Sequence, residues 1–311
     1  MYRIGVDLGG TNIAVGLVNE ENEIVCRTTV PTRAALSADT VIGDIADCIR
    51  NALVLSGADT AECCGVGVGT PGKCGADGVV FHAHNLGWEG VALGAMLRAQ
   101  IDLPVTVRND ADCAALGEVA AGAAKGSESA LLLTLGTGIG GGLIINGEIF
   151  SGRGMLGGEF GHMCIAMDGE ECSCGQRGCW EAYASATALI RQAEAAAAAH
   201  PESLLSSMGA PDGEKIYAAA AQGDAAAMAV TAKYAEYVGV GLVNLINALY
   251  PEVVLIGGGV SGAGEALLAP LRDYAAAHYF LRGTAPLPEI RPAALGGDAG
   301  IIGAAALADD T

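Results

Sequence analysis

A histidine and three cysteines lie close together near the middle of the chain, at His162, Cys172, Cys174 and Cys179. The spacing H-x9-C-x-C-x4-C supplies one imidazole and three thiolates, which is a donor set that structural Zn²⁺ prefers. Gly175 and Gly178 allow the chain to bend between these residues. Disulfide bonds and unrelated free thiols are the alternatives, and the close spacing favours metal. Because four protein ligands leave no position for water, the pattern predicts a structural rather than a catalytic zinc site.

A carboxylate lies where a predicted strand is followed by an alanine-rich helix, in VTVRNDADCAALGE at residues 105–118. Transfer of a phosphoryl group to a hydroxyl needs a carboxylate within hydrogen-bond reach of that hydroxyl, to accept its proton. Asp110 meets this requirement and is our candidate for the general base. Asn109 or Asp110 also suits the helix N-cap, and the two roles are compatible. The nearby Asp112 either raises the pKa of Asp110 or points to solvent.

Three glycine-rich turns follow apolar stretches, at 9–12, 136–142 and 257–262. Such a turn lets backbone N–H groups approach phosphate oxygens, although a tight hairpin that needs positive φ is the alternative for each turn alone. Three turns in similar contexts favour a nucleotide site. The last two turns fit G-x-G-x-x-G, but one continues into a strand and the other lies late in the chain. An NAD-dependent zinc dehydrogenase is therefore the weaker interpretation.

The stretches DLGGTN (7–12), LGTGIGGG (135–142) and IGGGV (256–260) resemble the phosphate and adenosine motifs of the actin-like sugar kinases. The resemblance implies an α/β, two-lobed actin-like ATPase (ribonuclease H-like) fold with an interlobe cleft. In that fold two hairpins bind the ATP phosphates, and the acid of the first strand acts on Mg²⁺ through water. The nucleotide-binding residues that the resemblance implies are Asp7, Gly9, Gly10, Thr11, Asn12, Thr137, Gly138 and Gly258.

The unit E-x-G-H-x9-C-x-C-G-x2-G-C-x-E at residues 159–181 is similar to the zinc-containing kinases of the ROK family (repressors, open reading frames and kinases). The similarity extends over nearly the whole chain. Asn109-Asp110-Ala111 matches the family's NDA motif, whose Asp is the general base, although Asp112-Cys113 stand where the family more often has Asn-Ala. The sugar-binding residues that this resemblance implies are Asn85, Asn109, Asp110, Glu159, His162 and Glu181.

Composition limits the possible partners and the compartment. A formal net charge of −19 disfavours nucleic acid and anionic membranes, since both are bound through basic surfaces. The chain enters a strand without a signal peptide, and glycines interrupt its longest apolar runs, so we expect a cytoplasmic protein. Its ten cysteines are then reduced thiols or metal ligands. Cys63, Cys64 and Cys164 are predicted to be small buried apolar residues.

The pattern of apolar residues predicts a β-meander over residues 2–30, a helix over 38–56 and a buried strand over 64–72. The strand–turn–strand plan recurs at 129–150. Residues 185–249 read as mostly helical, and 250–264 as a strand and glycine turn before another helix. We predict one lobe from residues 1–118 with a C-terminal helix at 298–311, and a second lobe from residues 119–297 that contains the zinc-binding loop.

These features together predict an ATP-dependent hexokinase of the ROK family, and specifically phosphorylation of glucose at its 6-hydroxyl with Asp110 as base. A kinase for N-acetylmannosamine, mannose or another hexose is the nearest alternative, and polyphosphate is an alternative donor. A sugar-responsive ROK regulator is the alternative from a different class. Its helix-turn-helix segment is not expected here, because the chain begins at the first glycine loop and is acidic. Family resemblance further suggests a homodimer or homotetramer.

Overall fold

The computed structural model describes the backbone of residues 1–310 and the side chains of residues 1–308. The chain forms two compact units. The first contains Met1–Ala130, Gly142–Gly158 and the residues from Ala294 onward, and the second contains Leu131–Gly141 and Glu159–Ala293. The predicted division into lobes at 118/119 and 297/298 stays a prediction, and its last residue, Thr311, lies outside the described residues.

The first unit contains a five-stranded sheet with the order β3-β2-β1-β4-β8. The first three strands are antiparallel, which confirms the predicted meander, and β1, β4 and β8 run parallel. A three-stranded sheet with the order β5-β6-β7 follows. The strands are β1 (Tyr2–Leu8), β2 (Asn12–Val18), β3 (Ile24–Pro31), β4 (Cys63–Thr70), β5 (Lys73–Cys74), β6 (Val80–Ala83), β7 (Trp88–Val91) and β8 (Val105–Asn109).

The main helices of the first unit cover the large sheet. They are α1 (Ala38–Ser56), α2 (Leu93–Ile101), α3 (Asp110–Ala120) and the C-terminal α10 (Ala299–Ala306). Helix α1 has the predicted bounds, because the Ser37 side chain caps its first turn and Gly57 ends it in the left-handed region. Its Val41, Ile45 and Ile49 are buried on one face, as their helical spacing requires.

Helix α10 packs directly on the sheet and on α3 because glycines lie at the contacts. A Cβ atom on Gly67 of β4 would lie 1.7 Å from the Ala304 carbonyl oxygen, and one on Gly303 would lie 1.6 Å from that of Cys113. No side chain fits at either place. The close packing fixes α3, whose first residue is Asp110, against the sheet.

The second five-stranded sheet has the order β11-β10-β9-β12-β13. Its strands are β9 (Ala130–Leu135), β10 (Ile139–Ile145), β11 (Glu148–Ile149), β12 (Val253–Gly257) and β13 (Glu289–Pro292). The strand–turn–strand pattern predicted at 129–150 is confirmed. The strand, glycine turn and helix predicted after residue 250 are also confirmed, because β12 is followed by α9 (Glu265–His278).

The other helices of the second unit lie between residues 181 and 249, and the sequence predicted mostly helix over 185–249. They are α4 (Glu181–Ala184), α5 (Ala186–Ala199), α6 (Leu204–Ser207), α7 (Gly213–Ala221) and α8 (Ala225–Leu249). Among the described residues, no helix combines the length and the apolar character that crossing a membrane requires.

Candidate functional site

Asp110 is the first residue of α3, directly after β8, and Asn109 is the N-cap. The Oδ1 atom of Asn109 accepts hydrogen bonds from the backbone N–H groups of Ala111 (2.9 Å) and Asp112 (3.4 Å). Its Nδ2 atom donates to the Gly72 carbonyl oxygen at 3.0 Å. The capping role therefore belongs to Asn109, whose side chain also hydrogen-bonds the Asp110 carboxyl.

The environment of Asp110 changes its acidity. The pKa of this carboxyl is raised to about 6, chiefly by burial. The hydrogen bond from the Ala111 N–H lowers the pKa, and the negative charge of Asp7 contributes to raising it. The strand-one acid and the candidate base are thus neighbours within the first unit. A pKa near 6 leaves most of the carboxylate ionised at neutral pH and still able to accept a proton.

Asp112 is buried, with 8% of its surface exposed, so the alternative that it points to solvent is wrong. Its Oδ2 atom accepts a hydrogen bond of 2.5 Å from the Ser151 hydroxyl. This bond joins the first turn of α3 to the segment 142–158, which returns to the first unit. Sequence reasoning missed Ser151, because nothing local to that residue indicates a partner 39 positions away.

The first glycine turn, residues 9–12, is closed by a backbone hydrogen bond from the Gly9 N–H to the Asn12 carbonyl oxygen. Thr32, just after β3, fixes the turn from the side, since its hydroxyl donates to the Gly9 carbonyl oxygen at 2.7 Å. A Cβ atom on Gly10 would lie 3.2 Å from that of Asn85, so a predicted sugar-binding residue borders the predicted phosphate turn. Thr11 and Asn12 are exposed.

Asp7 lies on the central strand β1 and faces the start of α10. A Cβ atom on Gly300 would lie 3.0 Å from the Asp7 carboxyl carbon, so the carboxylate lies close against the backbone of this helix. Burial raises the pKa of Asp7, and the nearby Arg27 lowers it. The Arg27 guanidinium is itself bonded to Asp298 at 2.5 Å.

In the second unit, the ligand atoms of His162, Cys172, Cys174 and Cys179 all lie within 4.8 Å of one another. The Cys174 and Cys179 sulfurs are 3.7 Å apart, and the Cys172 sulfur is 3.6 Å from His162 Nδ1. A tetrahedron with Zn–S bonds of about 2.3 Å and a Zn–N bond of about 2.0 Å has edges of about 3.8 and 3.5 Å. These two separations match a tetrahedral zinc site, and the remaining ligand atoms, all within 4.8 Å of one another, would need to move by at most about 1 Å to bind the ion.

Three cysteines outside the metal cluster were predicted to be buried, and the prediction is wrong for two of them. Cys63 is buried, but Cys64 is only partly buried and Cys164 is exposed. Cys164 forms an isolated antiparallel bridge with Cys179, which places it in the loop around the metal cluster rather than in a core. The sequence did not show this exposure, because a single cysteine has no pattern that separates a core position from a surface loop.

His162 has its two ring nitrogens in different surroundings. Nδ1 is the atom next to Cys172, and Nε2 lies 3.9 Å from a carboxylate oxygen of Glu159. If Nδ1 binds the metal, the ring orientation is fixed and Nε2 can hydrogen-bond a ligand. Glu159 and His162 thus present a carboxylate and an imidazole nitrogen side by side.

Glu181, which is predicted to bind sugar together with Asp110 and Glu159, contacts the turn between β9 and β10. Its Oε2 atom accepts a hydrogen bond of 2.9 Å from the Ile139 N–H. A Cβ atom on Gly138 would lie 2.3 Å from the same oxygen, so the turn and the carboxylate are in direct contact. The Thr137 carbonyl oxygen in this turn accepts a hydrogen bond from the Thr187 hydroxyl at 2.8 Å.

The third glycine turn lies against the second. Gly258 has a φ of 83°, and a Cβ atom there would lie 2.5 Å from the backbone nitrogen and oxygen of Leu135. Both the positive φ and the lack of space require glycine. Two of the three predicted nucleotide turns are therefore adjacent within the second unit, while the turn at 9–12 belongs to the first.

The predicted site residues thus form two groups. Asp7, the turn at 9–12, Asn85, Asn109 and Asp110 belong to the first unit, and Thr137, Gly138, Glu159, the metal cluster, Glu181 and Gly258 belong to the second. Their individual roles in binding and catalysis stay predictions. Trp88, which the sequence analysis did not include among the site residues, is 3% exposed and packs in the core of the first unit.

The chain is similar to known sugar kinases over its whole length. Residues 3–311 match the profile described as the ROK family. A glucokinase from Halalkalibacterium halodurans is 40% identical over 308 residues, which are 97% of this chain and 93% of that protein. The crystal structure of a ROK family glucokinase from Streptomyces griseus, in complex with glucose and AMPPNP, has a TM-score of 0.83 at 37% identity, with both chains covered completely.

Regulators are also among the relatives. The xylose repressor of Bacillus subtilis is 28% identical over 99% of this chain and 77% of its own length. The structural similarity to ROK glucokinases confirms the predicted α/β class and the actin-like ATPase fold. With its glycine turns, its Asn-Asp pair and its cluster of three cysteines and a histidine, this chain belongs to the ROK family.

Proposed function

We propose that this protein is an ATP-dependent hexokinase that phosphorylates glucose at the 6-hydroxyl, with Asp110 as the general base. The observation that supports this most directly is Asp110 itself. It is a partly buried carboxylate with a pKa of about 6, next to Asp7 on the strand that leads into a glycine turn. The 40% identity to a glucokinase supports glucose as the sugar.

In the proposed reaction the 6-hydroxyl oxygen of the sugar attacks the γ-phosphorus of ATP. A new P–O bond forms while the bond from the γ-phosphorus to the bridging oxygen of ADP breaks, and ADP leaves with that electron pair. The hydroxyl proton moves to Asp110. Since Oδ1 of Asp110 already accepts a hydrogen bond from the Ala111 N–H, Oδ2 is the oxygen available for this proton.

The backbone N–H groups of the turns at 9–12 and 136–142 are proposed to bind the ATP phosphates, and Gly258 the adenosine part. Mg²⁺ bound with ATP would neutralise phosphate charge, and Asp7 is the residue that would orient it through water. The sugar hydroxyls are proposed to be bound by Asn85, Asn109, Asp110, Glu159, His162 and Glu181. Asn109 contributes only as a donor, because its Oδ1 already accepts two hydrogen bonds.

Zinc is proposed as a structural ion bound by His162 Nδ1 and the sulfurs of Cys172, Cys174 and Cys179. When bound, the ion would supply a fixed geometry rather than a reactive water, since all four positions are taken by protein ligands. His162 Nε2 would then be oriented to donate a hydrogen bond to a sugar hydroxyl. The loop between residues 162 and 179 would be stiffened at the same time.

A regulator without activity is the second candidate from a different class, because ROK repressors are relatives of this chain. The identity to the glucokinase is 40% and that to the xylose repressor is 28%, which favours the kinase. Within the enzymes, mannose and N-acetylmannosamine kinases remain alternatives, and so does polyphosphate as a donor.

A hexose panel tests the proposal. ADP release is measured with ATP and Mg²⁺ in the presence of glucose, mannose, N-acetylmannosamine or fructose. We expect kcat/KM for glucose to exceed that of the other sugars at least tenfold, and ³¹P and ¹³C NMR of the product to place the phosphate at C6. Sugar binding by calorimetry without ADP release from any of these sugars would favour the regulator instead.

The pKa of Asp110 predicts the pH dependence of the reaction. The base must be ionised to accept a proton, so kcat/KM should rise with pH through about 6 and reach a plateau above pH 7. Asp112→Asn removes a charge near the base but preserves an oxygen that can accept a hydrogen bond from Ser151. The pKa of the acidic limb should stay within about 0.3 pH units of the parent value, a difference of about 0.4 kcal/mol. An acidic limb near pH 4 would contradict the raised pKa.

The compartment and the oligomeric state belong to the proposal as well. We propose a cytoplasmic location, where the ten cysteines would be reduced thiols or metal ligands. We also propose a homodimer or homotetramer, which sedimentation velocity on the zinc-loaded protein would distinguish from a monomer.

A further inference from the structure

The turn between β9 and β10 is bonded at three points to one short segment, residues 181–187. The Ile139 N–H donates to Glu181 Oε2 at 2.9 Å. The Ala186 N–H donates to the Gly136 carbonyl oxygen at 2.8 Å, and the Thr187 hydroxyl donates to the Thr137 carbonyl oxygen at the same distance. The shape of the turn proposed to bind phosphate therefore depends on this segment.

Glu181 is itself fixed by its neighbours in the chain. Trp180 is fully buried, and its Nε1 atom donates to the Tyr237 carbonyl oxygen at 2.8 Å. Its backbone N–H donates to the Met163 carbonyl oxygen at 2.7 Å. Its ring lies against Gly241 of α8, where a Cβ atom would be 2.1 Å away. Cys179, one residue earlier, belongs to the metal cluster. The backbone of Glu181 thus has little freedom to move relative to the turn.

The two carboxylate oxygens of Glu181 have different partners. Oε2 accepts from Ile139, whereas Oε1 accepts no hydrogen bond from the part of the chain that the structure describes. A carboxylate can accept on both oxygens at once. One side chain can therefore bind a sugar hydroxyl through Oε1 while it positions the phosphate turn through Oε2.

We propose that Glu181 is a positioning residue for the nucleotide as well as a sugar ligand, and that it couples the two substrates. A hydroxyl bound at Oε1 restricts the carboxylate, which in turn restricts the Ile139 N–H and the turn around Gly138. The coupling is reciprocal, so bound sugar should tighten nucleotide binding by the same factor as bound nucleotide tightens sugar binding. This inference rests on the proposed kinase function.

The test is calorimetric binding of Mg²⁺-AMPPNP and of glucose to the zinc-loaded protein and three variants. Glu181→Gln can still accept from Ile139 through its amide oxygen, but it presents an NH₂ group in place of Oε1. Glu181→Ala loses both contacts. Glu159→Gln is the matched control, because it changes a second proposed sugar ligand that lies beside His162 rather than at the turn.

We expect Glu181→Ala to weaken AMPPNP binding at least tenfold and to abolish its enhancement by glucose. Glu181→Gln should preserve AMPPNP affinity within threefold while it weakens glucose binding, and Glu159→Gln should weaken glucose binding alone. If Glu181→Ala does not fold, Glu181→Asp replaces it, since the shorter side chain also loses the contact with Ile139.

The inference is overturned if Glu181→Ala binds AMPPNP within twofold of the parent, or if Glu181→Gln loses nucleotide affinity as strongly as Glu181→Ala. The first result would leave Glu181 as a sugar ligand only and the kinase proposal intact. A parent protein that binds glucose but no AMPPNP would instead overturn the kinase proposal, and this inference with it.

Discussion

Asp110→Asn is expected to lower kcat for glucose phosphorylation by about 100-fold to 10,000-fold, which is the usual contribution of a general base. The amide of asparagine cannot accept the hydroxyl proton, but it has nearly the same shape. It can also accept the hydrogen bond that Oδ1 receives from the Ala111 N–H. Glucose affinity should therefore stay within about threefold of the parent value. Single-turnover kinetics and calorimetry measure the two quantities separately.

The same substitution should make the protein more stable. The pKa of Asp110 is raised from 3.8 to about 6, so the folded state binds the proton more tightly than the unfolded chain. Below pH 3.8 this group has no effect, and between pH 3.8 and 6 its ionisation progressively destabilises the fold. At pH 7 the cost is about 1–3 kcal/mol, which Asp110→Asn removes. The free energy of unfolding should rise accordingly in urea titrations at pH 7, and the gain should vanish near pH 4.

Asp112→Asn is the matched control for this pair of measurements. It makes the same chemical change two residues along α3, where the carboxylate is bonded to Ser151. Its kcat should remain within fivefold of the parent. If Asp110→Asn keeps more than a tenth of the parent kcat, Asp110 is not the base. Loss of activity without a gain in stability at pH 7 would indicate a carboxylate that is more solvated than the structure shows.

The residues that sequence analysis identified are those with a local signature. The zinc ligands lie within eighteen positions of one another, and their spacing alone predicted a cluster that the structure shows with its ligand atoms within 4.8 Å. Asn109-Asp110 lies at a strand–helix junction, where an N-cap residue was expected. The glycine turns were visible because glycine adopts positive φ most readily and alone leaves room for the closest backbone contacts, as Gly258 shows.

The residues that were missed act through distant partners. Thr32 fixes the first glycine turn, Ser151 binds Asp112, and Thr187 binds the turn at Thr137, over separations of 23, 39 and 50 positions. Threonine and serine occur at such positions for many reasons, so their types carried no signal. The contact of Glu181 with Ile139 is similar, since family resemblance pointed to Glu181 as a sugar ligand and not as part of the phosphate turn.

Removal of the metal is expected to have the second large effect. Cys174 is the ligand to change, because its side chain is exposed and its replacement by alanine leaves no cavity in a core. Cys174→Ala should reduce bound zinc from about one ion per chain to less than a tenth, since a tetrahedral structural site depends on all four ligands. Inductively coupled plasma mass spectrometry of the purified protein gives this ratio.

Glucose affinity should fall at least tenfold in Cys174→Ala, and AMPPNP affinity should fall less. His162 is a proposed sugar ligand whose ring is oriented by the metal, so sugar binding depends on the ion directly. Glu181 is also placed by the buried Trp180, so the phosphate turn retains a contact that does not require zinc. Calorimetric titrations of the parent protein, before and after dialysis against a chelator, measure the same comparison. Removal of the metal should again weaken glucose binding more than AMPPNP binding.

Cys164→Ala is the control for this variant. Cys164 is an exposed cysteine in the same loop, bridged to Cys179 through the backbone, but its sulfur does not belong to the cluster. Its replacement should leave both the zinc content and the glucose affinity within twofold of the parent, which separates the loss of a ligand from the loss of a nearby thiol. Two results would contradict the proposed role of the metal. If Cys174→Ala retains zinc, the ion has other ligands. If it loses zinc without any change in glucose affinity, the metal stabilises the loop but does not position His162 for the sugar.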